Sequence, residues 1–203
     1  TGAAGIDSMD GGDSTDRYLI ATSADHSAAE VQDTGTTGSD ELRFSSTTAG
    51  QTLTVYAGDT GLEQVTIGTG TGATPTTTGT TALNINASAA INGLTITGNA
   101  GTNSLIGTAF ADTIIGNAGN DNINGITGDD VFNGGAGNDT MTGGNGSNIY
   151  LIGTSTEHAV AEITDNGTSG TDELRFSSTT AGQTLTVFAG DTGLEKASIG
   201  TGS

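Results

Sequence analysis

Residues 98–151 read GNAGTNSLI GTAFADTII GNAGNDNIN GITGDDVFN GGAGNDTMT GGNGSNIYL, which is six nonapeptides in one uninterrupted register. The first position of each unit is glycine, and the eighth is always apolar, from Leu105 to Tyr150. The sixth position is acidic or an amide: Asn103, Asp112, Asp121, Asp130, Asp139 and Asn148. Nine residues suffice for one turn and one short strand, so the pattern predicts parallel strands stacked into a two-sheeted solenoid.

The turn of each unit has the chemistry of a metal site. Glycine tolerates positive φ and close backbone approach, so the turn carbonyls are free to converge. A carboxylate at the sixth position completes the all-oxygen set of six to eight ligands that Ca²⁺ accepts at about 2.3 to 2.6 Å. We expect the turn glycines to take part: Gly116, Gly119, Gly125, Gly128, Gly134 and Gly137. The alternative is that Gly, Asn and Asp only reverse the chain, because they favour turns without any metal.

These units resemble the glycine-rich nonapeptide repeats of the RTX family, whose pattern is GGxGxDxUx with U apolar. The resemblance implies an all-β fold, a parallel β-roll or β-helix solenoid, with several Ca²⁺ ions held between turns two nonapeptides apart. On that spacing it pairs Asp121 with Asp139 and Asp112 with Asp130. Asn103 and Asn148 would offer a neutral oxygen and make the end sites weaker or vacant. Phe110 replaces the glycine of the fourth position, and we expect it to distort its turn.

A second, longer repeat encloses the first. The sequence from Arg17 returns from Ile149, which is a period of 132, and residues 40–55 are identical to 172–187. We call this period the long repeat; residues 2–70 are the first copy below, and residues 134–202 the second. This predicts the end of one nonapeptide block at 1–19, an irregular β-solenoid connector at 20–97, a calcium-binding block at 98–151 and a second connector at 152–203. We expect the chain to be an excerpt from a longer tandem array.

Further acids fall in the nonapeptide frame outside the central block. Asp7 and Asp16 take the sixth position in the first copy, and Asp40 and Asp172 take it in GTTGSDELR and GTSGTDELR. The resemblance implies that these four residues are additional calcium ligands.

The composition excludes several classes of function. With 23 acidic and 4 basic residues the formal net charge is -19, which repels nucleic acids and attracts metal cations. The chain has no Cys and only 32% hydrophobic residues, so neither disulfides nor a thick core stabilise it. We therefore expect the metal-free chain to be disordered and folding to be coupled to metal binding. No apolar run approaches the length of a membrane span.

No catalytic motif appears, and we expect no enzymatic activity. His26 and His158 are equivalent in the two copies and have no second His or Cys nearby, so a structural or solvated role is expected rather than zinc binding. Arg43 and Arg175 lie in Asp-Glu-Leu-Arg-Phe segments and are expected to pair locally with Glu or Asp.

These observations favour a structural module of a large extracellular or cell-surface bacterial protein, such as an adhesin, a surface layer or a matrix fibre. Stacked repeats add length without a new core, and their open ends favour self-association or end-to-end neighbours. The family resemblance adds type I secretion of the unfolded chain. The alternative is the non-catalytic secretion and folding domain of an exported protease, lipase or toxin. Soluble calcium buffering is a third possibility.

Overall fold

The chain folds as a solenoid of short parallel strands in the computed structural model, which describes residues 7–27, 30–158 and 162–200. The predicted segments 1–19 and 152–203 thus extend beyond the described residues at their ends. One 3₁₀ turn, Ser23–Asp25, is present, and the described residues hold no helix long and apolar enough for a membrane crossing. The strands are β1 Arg17–Ile20, β2 Glu41–Phe44, β3 Thr52–Thr54, β4 Gln64–Ile67, β5 Asn84–Asn86, β6 Thr95–Thr97, β7 Ser104–Ile106, β8 Thr113–Ile115, β9 Asn122–Thr127, β10 Val131–Asn133, β11 Thr140–Asn145, β12 Ile149–Ile152, β13 Ile163–Thr164, β14 Glu173–Phe176 and β15 Lys196–Ile199.

The strands form two sheets in which every pair of neighbouring strands is parallel. One sheet has the order β1-β2-β4-β6-β8-β10-β12-β14-β15, and the other has the order β13-β11-β9-β7-β5-β3. From β6 to β12 the chain enters the two sheets alternately, with one new strand in each nonapeptide. Two nonapeptides therefore make one coil, as in the register Thr113↔Val131. The predicted all-β, parallel β-roll fold is confirmed.

The core is one cluster of apolar side chains that both sheets contribute to the space between them. The eighth-position residues are at most 1% exposed: Leu105, Ile114, Ile123, Phe132, Met141 and Tyr150. Phe132 and Tyr150 come from consecutive coils, and their rings stack with centroids 5.0 Å apart. Because each strand contributes one inward residue between two outward ones, a nonapeptide supplies one slice of core.

Outside residues 98–151 the coils are longer, yet they continue the same two sheets. Arg17 pairs with Glu41, Glu41 with Gln64, and Gln64 with Thr95, so each of these coils exceeds two nonapeptides. We call them, and their counterparts after β12, the long coils. In the second copy Ile149 pairs with Glu173 and Glu173 with Lys196, which repeats the first two of these spacings. The long repeat of the sequence is thus also a period of the structure.

Each arginine of the Asp-Glu-Leu-Arg-Phe segments pairs with the glutamate two residues before it. Arg43 Nε donates to Glu41 Oε1 at 2.9 Å, and Arg175 Nη2 donates to Glu173 Oε2 at 2.9 Å. Arg43 is almost fully buried, and its Nη1 also donates to the carbonyl oxygen of Gly70 at 2.7 Å. The predicted local pairing of both arginines is therefore confirmed. Arg43 is additionally hydrogen-bonded to the loop after β4, which belongs to the coil between Gln64 and Thr95.

Candidate metal centre

The sixth-position residues stack into two columns, one beside each sheet. Each lies just before a strand, and from the second rung of each column onward the side chain accepts a hydrogen bond from the backbone N–H of the rung one coil earlier. Asp121 N–H donates to Asp139 Oδ1 at 2.9 Å, and Asp112 N–H donates to Asp130 Oδ1 at 2.9 Å. The first column contains Asn103, Asp121 and Asp139, and the second contains Asp112, Asp130 and Asn148. We call these residues rungs.

Three rungs keep one carboxylate oxygen that no donor reaches. Asp121, Asp130 and Asp139 are at most 3% exposed, and the Oδ2 atom of each is buried without a hydrogen-bond partner among the described residues. A Cβ atom on the first-position glycine of the same turn would overlap that oxygen, at Gly116, Gly125 and Gly134 respectively. A buried carboxylate oxygen without a donor is costly unless a cation neutralises it. The donor set therefore fits a hard cation that binds oxygen.

The glycines of the fourth position bring consecutive turns into backbone contact. Gly119, Gly128 and Gly137 have φ of 117°, 125° and 144°, in the left-handed region that disfavours side chains. A Cβ atom on Gly137 would clash with the carbonyl oxygen of Gly119. The turn carbonyls are thus held beside the columns of rungs, where a cation could use them.

Comparison with known families agrees with this geometry. A family model described as "RTX calcium-binding nonapeptide repeat (4 copies)" matches residues 97–126 and again 127–150. Residues 97–150 are RTX repeats. Repeats of this family bind calcium and form β-rolls, and the proteins that carry them are typically secreted. No curated protein and no solved structure matches the chain. Residues 97–150 are called the RTX block below.

Electrostatics in the RTX block favour a bound cation. Burial raises the pKa of Asp121 and of Asp130 to about 7. Hydrogen bonds from the backbone N–H groups one coil earlier oppose this rise, whereas the neighbouring carboxylates of Asp139 and Asp112 add to it. Burial likewise raises the pKa of Asp139. The fold therefore gathers negative charge that water does not solvate, and a divalent cation would relieve the repulsion.

Two other turns of the RTX block satisfy their rungs with internal donors. Asn103 Nδ2 donates to the carbonyl oxygen of Leu83 at 2.8 Å and to Asn99 Oδ1 at 3.0 Å. Asp112 Oδ1 accepts from Leu94 N–H at 2.7 Å, and its Oδ2 accepts from Thr108 N–H at 2.6 Å. In these turns the carboxylate or amide oxygen already has its partners.

The turn that contains Phe110 differs from the glycine turns, as the sequence predicted. Among described non-glycine residues, positive φ occurs only at Ser14, Asn117 and Ile126, so Phe110 does not take the left-handed conformation of Gly119, Gly128 and Gly137. Its N–H donates to Thr108 Oγ1 at 3.0 Å, and its ring is 46% exposed. In this turn Thr108 Oγ1 also donates to Asp112 Oδ1 at 3.1 Å.

The columns continue into the long coils, and the predicted residues outside the block belong to them. Asn148 N–H donates to Asp172 Oδ1 at 2.7 Å, and Asp16 N–H donates to Asp40 Oδ1 at 2.7 Å. Asp7 N–H lies 3.4 Å from Glu30 Oε1, one coil further on in the first column. The structure thus places Asp7, Asp16, Asp40 and Asp172 in the same columns as the RTX rungs.

Sequence reasoning missed several rungs outside the nonapeptide frame, although Glu30 and Glu162 were named as candidates for further calcium. Asp40 N–H donates to Glu63 Oε2 and Asp172 N–H donates to Glu195 Oε2, both at 2.8 Å. Asp59 continues the first column, where its Oδ1 accepts from Val31 N–H at 3.2 Å. Each of these acids stands directly before a paired residue and recurs one long repeat later, which is the signal that identifies them.

The two histidines bridge rungs of the first column in the long coils. His158 Nδ1 lies 2.9 Å from Glu162 Oε2, and its Nε2 lies 3.0 Å from Asp191 Oδ2. In the first copy His26 Nε2 lies 2.9 Å from Asp59 Oδ2. Burial lowers the pKa of His158, but the hydrogen bond to Glu162 and the charge of Asp191 outweigh it and leave the pKa raised. The histidines therefore have a structural position between acids.

Proposed function

We propose that this chain is a calcium-binding structural repeat module of a large extracellular or cell-surface bacterial protein, which folds and stiffens when it binds Ca²⁺. An adhesin, a surface layer or a matrix fibre is the setting that fits. The observation that carries the proposal is the set of buried Oδ2 atoms without donors on Asp121, Asp130 and Asp139. In this proposal residues 98–151 are the calcium-binding block, 1–19 end a preceding block, and 20–97 and 152–203 are connectors.

Charge neutralisation explains why calcium would control folding. The net charge is -19, and the rungs stack acids in two continuous columns. Each Ca²⁺ ion would offset two of these charges and supply the missing partner of a buried oxygen. Since an unfolded chain does not hold the rungs together, binding energy becomes folding energy. The ligands proposed in the block are the rungs and the carbonyls of the glycine turns.

A rod is the shape that the repeat favours. From β1 to β12 the larger sheet advances by six coils in one long repeat, which at strand spacings of about 4.8 Å is about 29 Å of rod. The second copy repeats the pairings of the first, so further copies would lengthen the solenoid without a new core. This favours a tandemly repeated surface protein over the alternative, a non-catalytic secretion domain of an exported protease, lipase or toxin. In both settings the buried acids serve as rungs and have no catalytic role.

Equivalent apolar positions in the two copies of the long repeat differ in exposure. Val187 and Ile199 are 51% and 84% exposed, whereas their equivalents in the first copy, Val55 and Ile67, are 1% exposed. In the first copy the next coil, with β5 and β6, covers these positions. In a tandem array, every copy of the long repeat would have these positions covered in the same way by the coil that follows it.

Circular dichroism during a calcium titration tests the proposal, with bound ions counted by calorimetry and magnesium as the control. We expect a calcium-selective transition from coil to β-structure with at least two ions bound. A triple variant, Asp121→Asn, Asp130→Asn and Asp139→Asn, should need far more calcium. The matched control Asp129→Asn changes an exposed neighbour and should behave as the wild type. Unchanged spectra and no calcium uptake would refute the proposal.

The rod itself is tested by length. Chains of two, four and six copies of the long repeat would be imaged by electron microscopy in calcium. We expect each added copy to lengthen the particle by about 29 Å at constant width. Globular particles whose width grows with copy number would contradict the rod and leave only the folding-domain alternative.

A further inference from the structure

Three apolar side chains are exposed in consecutive turns along one edge of the roll, where the chain passes from the six-stranded to the nine-stranded sheet. Ile91 is 54% exposed, Phe110 is 46% exposed, and Ile126 is partly exposed. We call these three residues the turn patch. Apolar side chains that are grouped on a surface in this way are typical of a binding site.

Backbone contacts hold the three turns side by side. A Cβ atom added to Gly93 would clash with the carbonyl oxygen of Ala111, and one added to Gly128 would clash with that of Phe110. The strands that follow these turns, β6, β8 and β10, are neighbours in the nine-stranded sheet. The turn patch therefore extends over two strand spacings along the roll.

Two residues of the patch replace the residue types that the nonapeptide has in its other turns. Phe110 takes the fourth position, which is glycine in the other five units of residues 98–151, and Ile126 takes the second, which is otherwise Asn, Thr or Gly. Ile126 has a φ of 81°, which a β-branched side chain rarely adopts, and backbone strain of this kind clusters at functional sites. The turn of Phe110 is also free of the demands of a metal site, since both carboxylate oxygens of Asp112 have internal donors.

Charge surrounds the turn patch without entering it. Residues 64–111 include no acidic, basic or His residue, although the whole chain has a net charge of -19. The nearest exposed acids on this edge, among the described residues, are Glu63 before β4 and Asp129 before β10. These two acids are three strand spacings apart along the nine-stranded sheet, which is about 14 Å.

Backbone donors hold both acids at the rim of the patch. Asp40 N–H donates to Glu63 Oε2 at 2.8 Å, and Ser147 N–H donates to Asp129 Oδ1 at 2.7 Å. The second oxygen of each carboxylate makes no hydrogen bond to another described residue. Each acid therefore has an oxygen that a positively charged partner could use.

The pattern of an apolar centre and an acidic rim selects the partner. A second copy of the chain docked patch to patch would bring the acids of one rim near those of the other, and like charges across an interface oppose binding. A basic segment would instead pair with both acids while its apolar side chain covers the patch. In an extended strand, residues four positions apart are about 13 Å apart, which matches the separation of Glu63 and Asp129 along the sheet.

We propose that the turn patch binds an extended, cationic protein segment that has one apolar residue midway between two basic residues four positions apart. The apolar residue packs against Phe110, and the basic residues pair with Glu63 and Asp129. None of the three patch residues is a rung, so this surface is separate from the proposed calcium sites and adds a protein partner to them.

Nuclear magnetic resonance of the whole, isotope-labelled chain in saturating calcium tests the surface. The probe is a synthetic pentapeptide, capped at both ends, with Lys at its first and last positions, Phe at its centre and Ser between them. We expect its addition to shift backbone amide signals only in the turns 88–93, 107–111 and 126–129. A peptide with Glu in place of Lys, and one with Ser in place of Phe, should each bind about tenfold more weakly or less.

Variants of the chain separate the apolar contact from the charge. Phe110→Ser should weaken binding of the Lys peptide about tenfold, and Ile91→Ser in the neighbouring turn should give an independent loss. Asp129→Asn should weaken it a few-fold, as expected for a charge at the rim. The matched control Asp13→Asn removes an exposed acid two coils beyond Glu63 and should bind as the wild type. Circular dichroism checks that each variant is folded.

Three results would overturn the inference. Amide shifts that spread over all the acidic turns, or a loss in Asp13→Asn as large as that in Asp129→Asn, would show that only the net charge attracts the peptide. Absence of shifts in the three turns would show that the patch binds no such segment. A dimer in sedimentation equilibrium that Phe110→Ser dissociates would replace the cationic partner by a second copy of the chain. Calcium uptake by the RTX block is measured separately, so the proposed function does not depend on these results.

Discussion

The RTX block and the long coils share the same two columns of rungs, but the carboxylate oxygens of those rungs have different partners in the two regions. In the block Asp121, Asp130 and Asp139 each keep a buried oxygen that no donor reaches. In the second copy's long coils, side chains of the chain itself serve the rungs: His158 bridges Glu162 and Asp191. A coil of two nonapeptides has no spare residues for such bridges, whereas a long coil carries a loop that supplies them. The second copy's long coil thus meets two of its rungs with a histidine, whereas Asp121, Asp130 and Asp139 depend on the proposed ion.

Removal of calcium should have the largest effect and should act on the block first. Each site held at a hundredfold over its Kd adds about 2.7 kcal/mol, so three sites add about 8 kcal/mol, comparable with the stability of a whole domain. We expect chelation at pH 8 to abolish amide protection in residues 97–150, measured by hydrogen exchange, before the His-bridged coils lose theirs.

The control is replacement of calcium by magnesium, which should not restore protection because Mg²⁺ demands a smaller octahedral site. Protection that survives chelation in the block, or that is lost first in the long coils, would contradict the comparison.

Backbone packing in the turns should give the next largest effect. Gly137 and Gly182 both have positive φ, of 144° and 80°. A Cβ atom added to Gly137 would clash with the backbone of Gly119, whereas one added to Gly182 would meet no atom within 4 Å. We expect Gly182→Ala to lower the free energy of unfolding by about 1 kcal/mol and Gly137→Ala by about 3 kcal/mol or more.

Urea unfolding in saturating calcium measures both variants. Equal losses would show that the block turns do not pack more tightly than the loops of the long coils.

The nonapeptide register predicted the part of the fold where the period holds. A strict nonapeptide spacing fixes which residue faces inward, so Phe132 and Met141 could be placed in the core from the sequence. The unequal lengths of the long coils break that frame, so Glu63 and Asp59 were not identified as rungs. Whether two acids meet across such a coil depends on the loop between them, and no short-range pattern encodes that.

The orientation of the Asn103 and Asn148 side-chain amides could also not be predicted from the sequence. Both Asn103 and Asn148 were predicted to offer an oxygen to a metal. The Oδ1 atom of each instead accepts a hydrogen bond from a backbone N–H. Their amide protons, however, reach carbonyl oxygens of the turns or of the preceding coil. Only the three-dimensional arrangement shows that these amides act as hydrogen-bond donors to neighbouring oxygen atoms.

Acidification should weaken calcium binding by the block about tenfold between pH 8 and pH 6. Burial raises the pKa of Asp121 and Asp130 to about 7, so at pH 6 each is about nine-tenths protonated and a proton competes with the ion. Because these pKa values are raised, the metal-free fold is stabilised below about pH 4 and loses that stabilisation as the pH rises through 7.

Calcium-dependent shifts in Tm at pH 6 and pH 8 check this expectation. The double variant Asp121→Asn and Asp130→Asn should show a flatter pH dependence, and a wild-type shift that is equal at both pH values would contradict the burial argument.

Loss of a histidine bridge should have the smallest effect and should be confined to a long coil. In His158→Gln the imidazole no longer links Glu162 with Asp191, and we expect a loss on the order of 1 kcal/mol in the free energy of unfolding. The pKa of His158 is raised in the fold, so its contribution is complete below the unfolded pKa of about 6.5 and disappears as the pH rises through the higher folded value. The difference between variant and wild type should therefore be larger at pH 6 than at pH 9, while calcium uptake by the RTX block stays unchanged. Urea unfolding at the two pH values measures the first quantity and calorimetry the second. A difference that does not depend on pH would show that the ring acts by packing alone, and a loss of bound calcium would show that the block and the long coil are not separately stabilised.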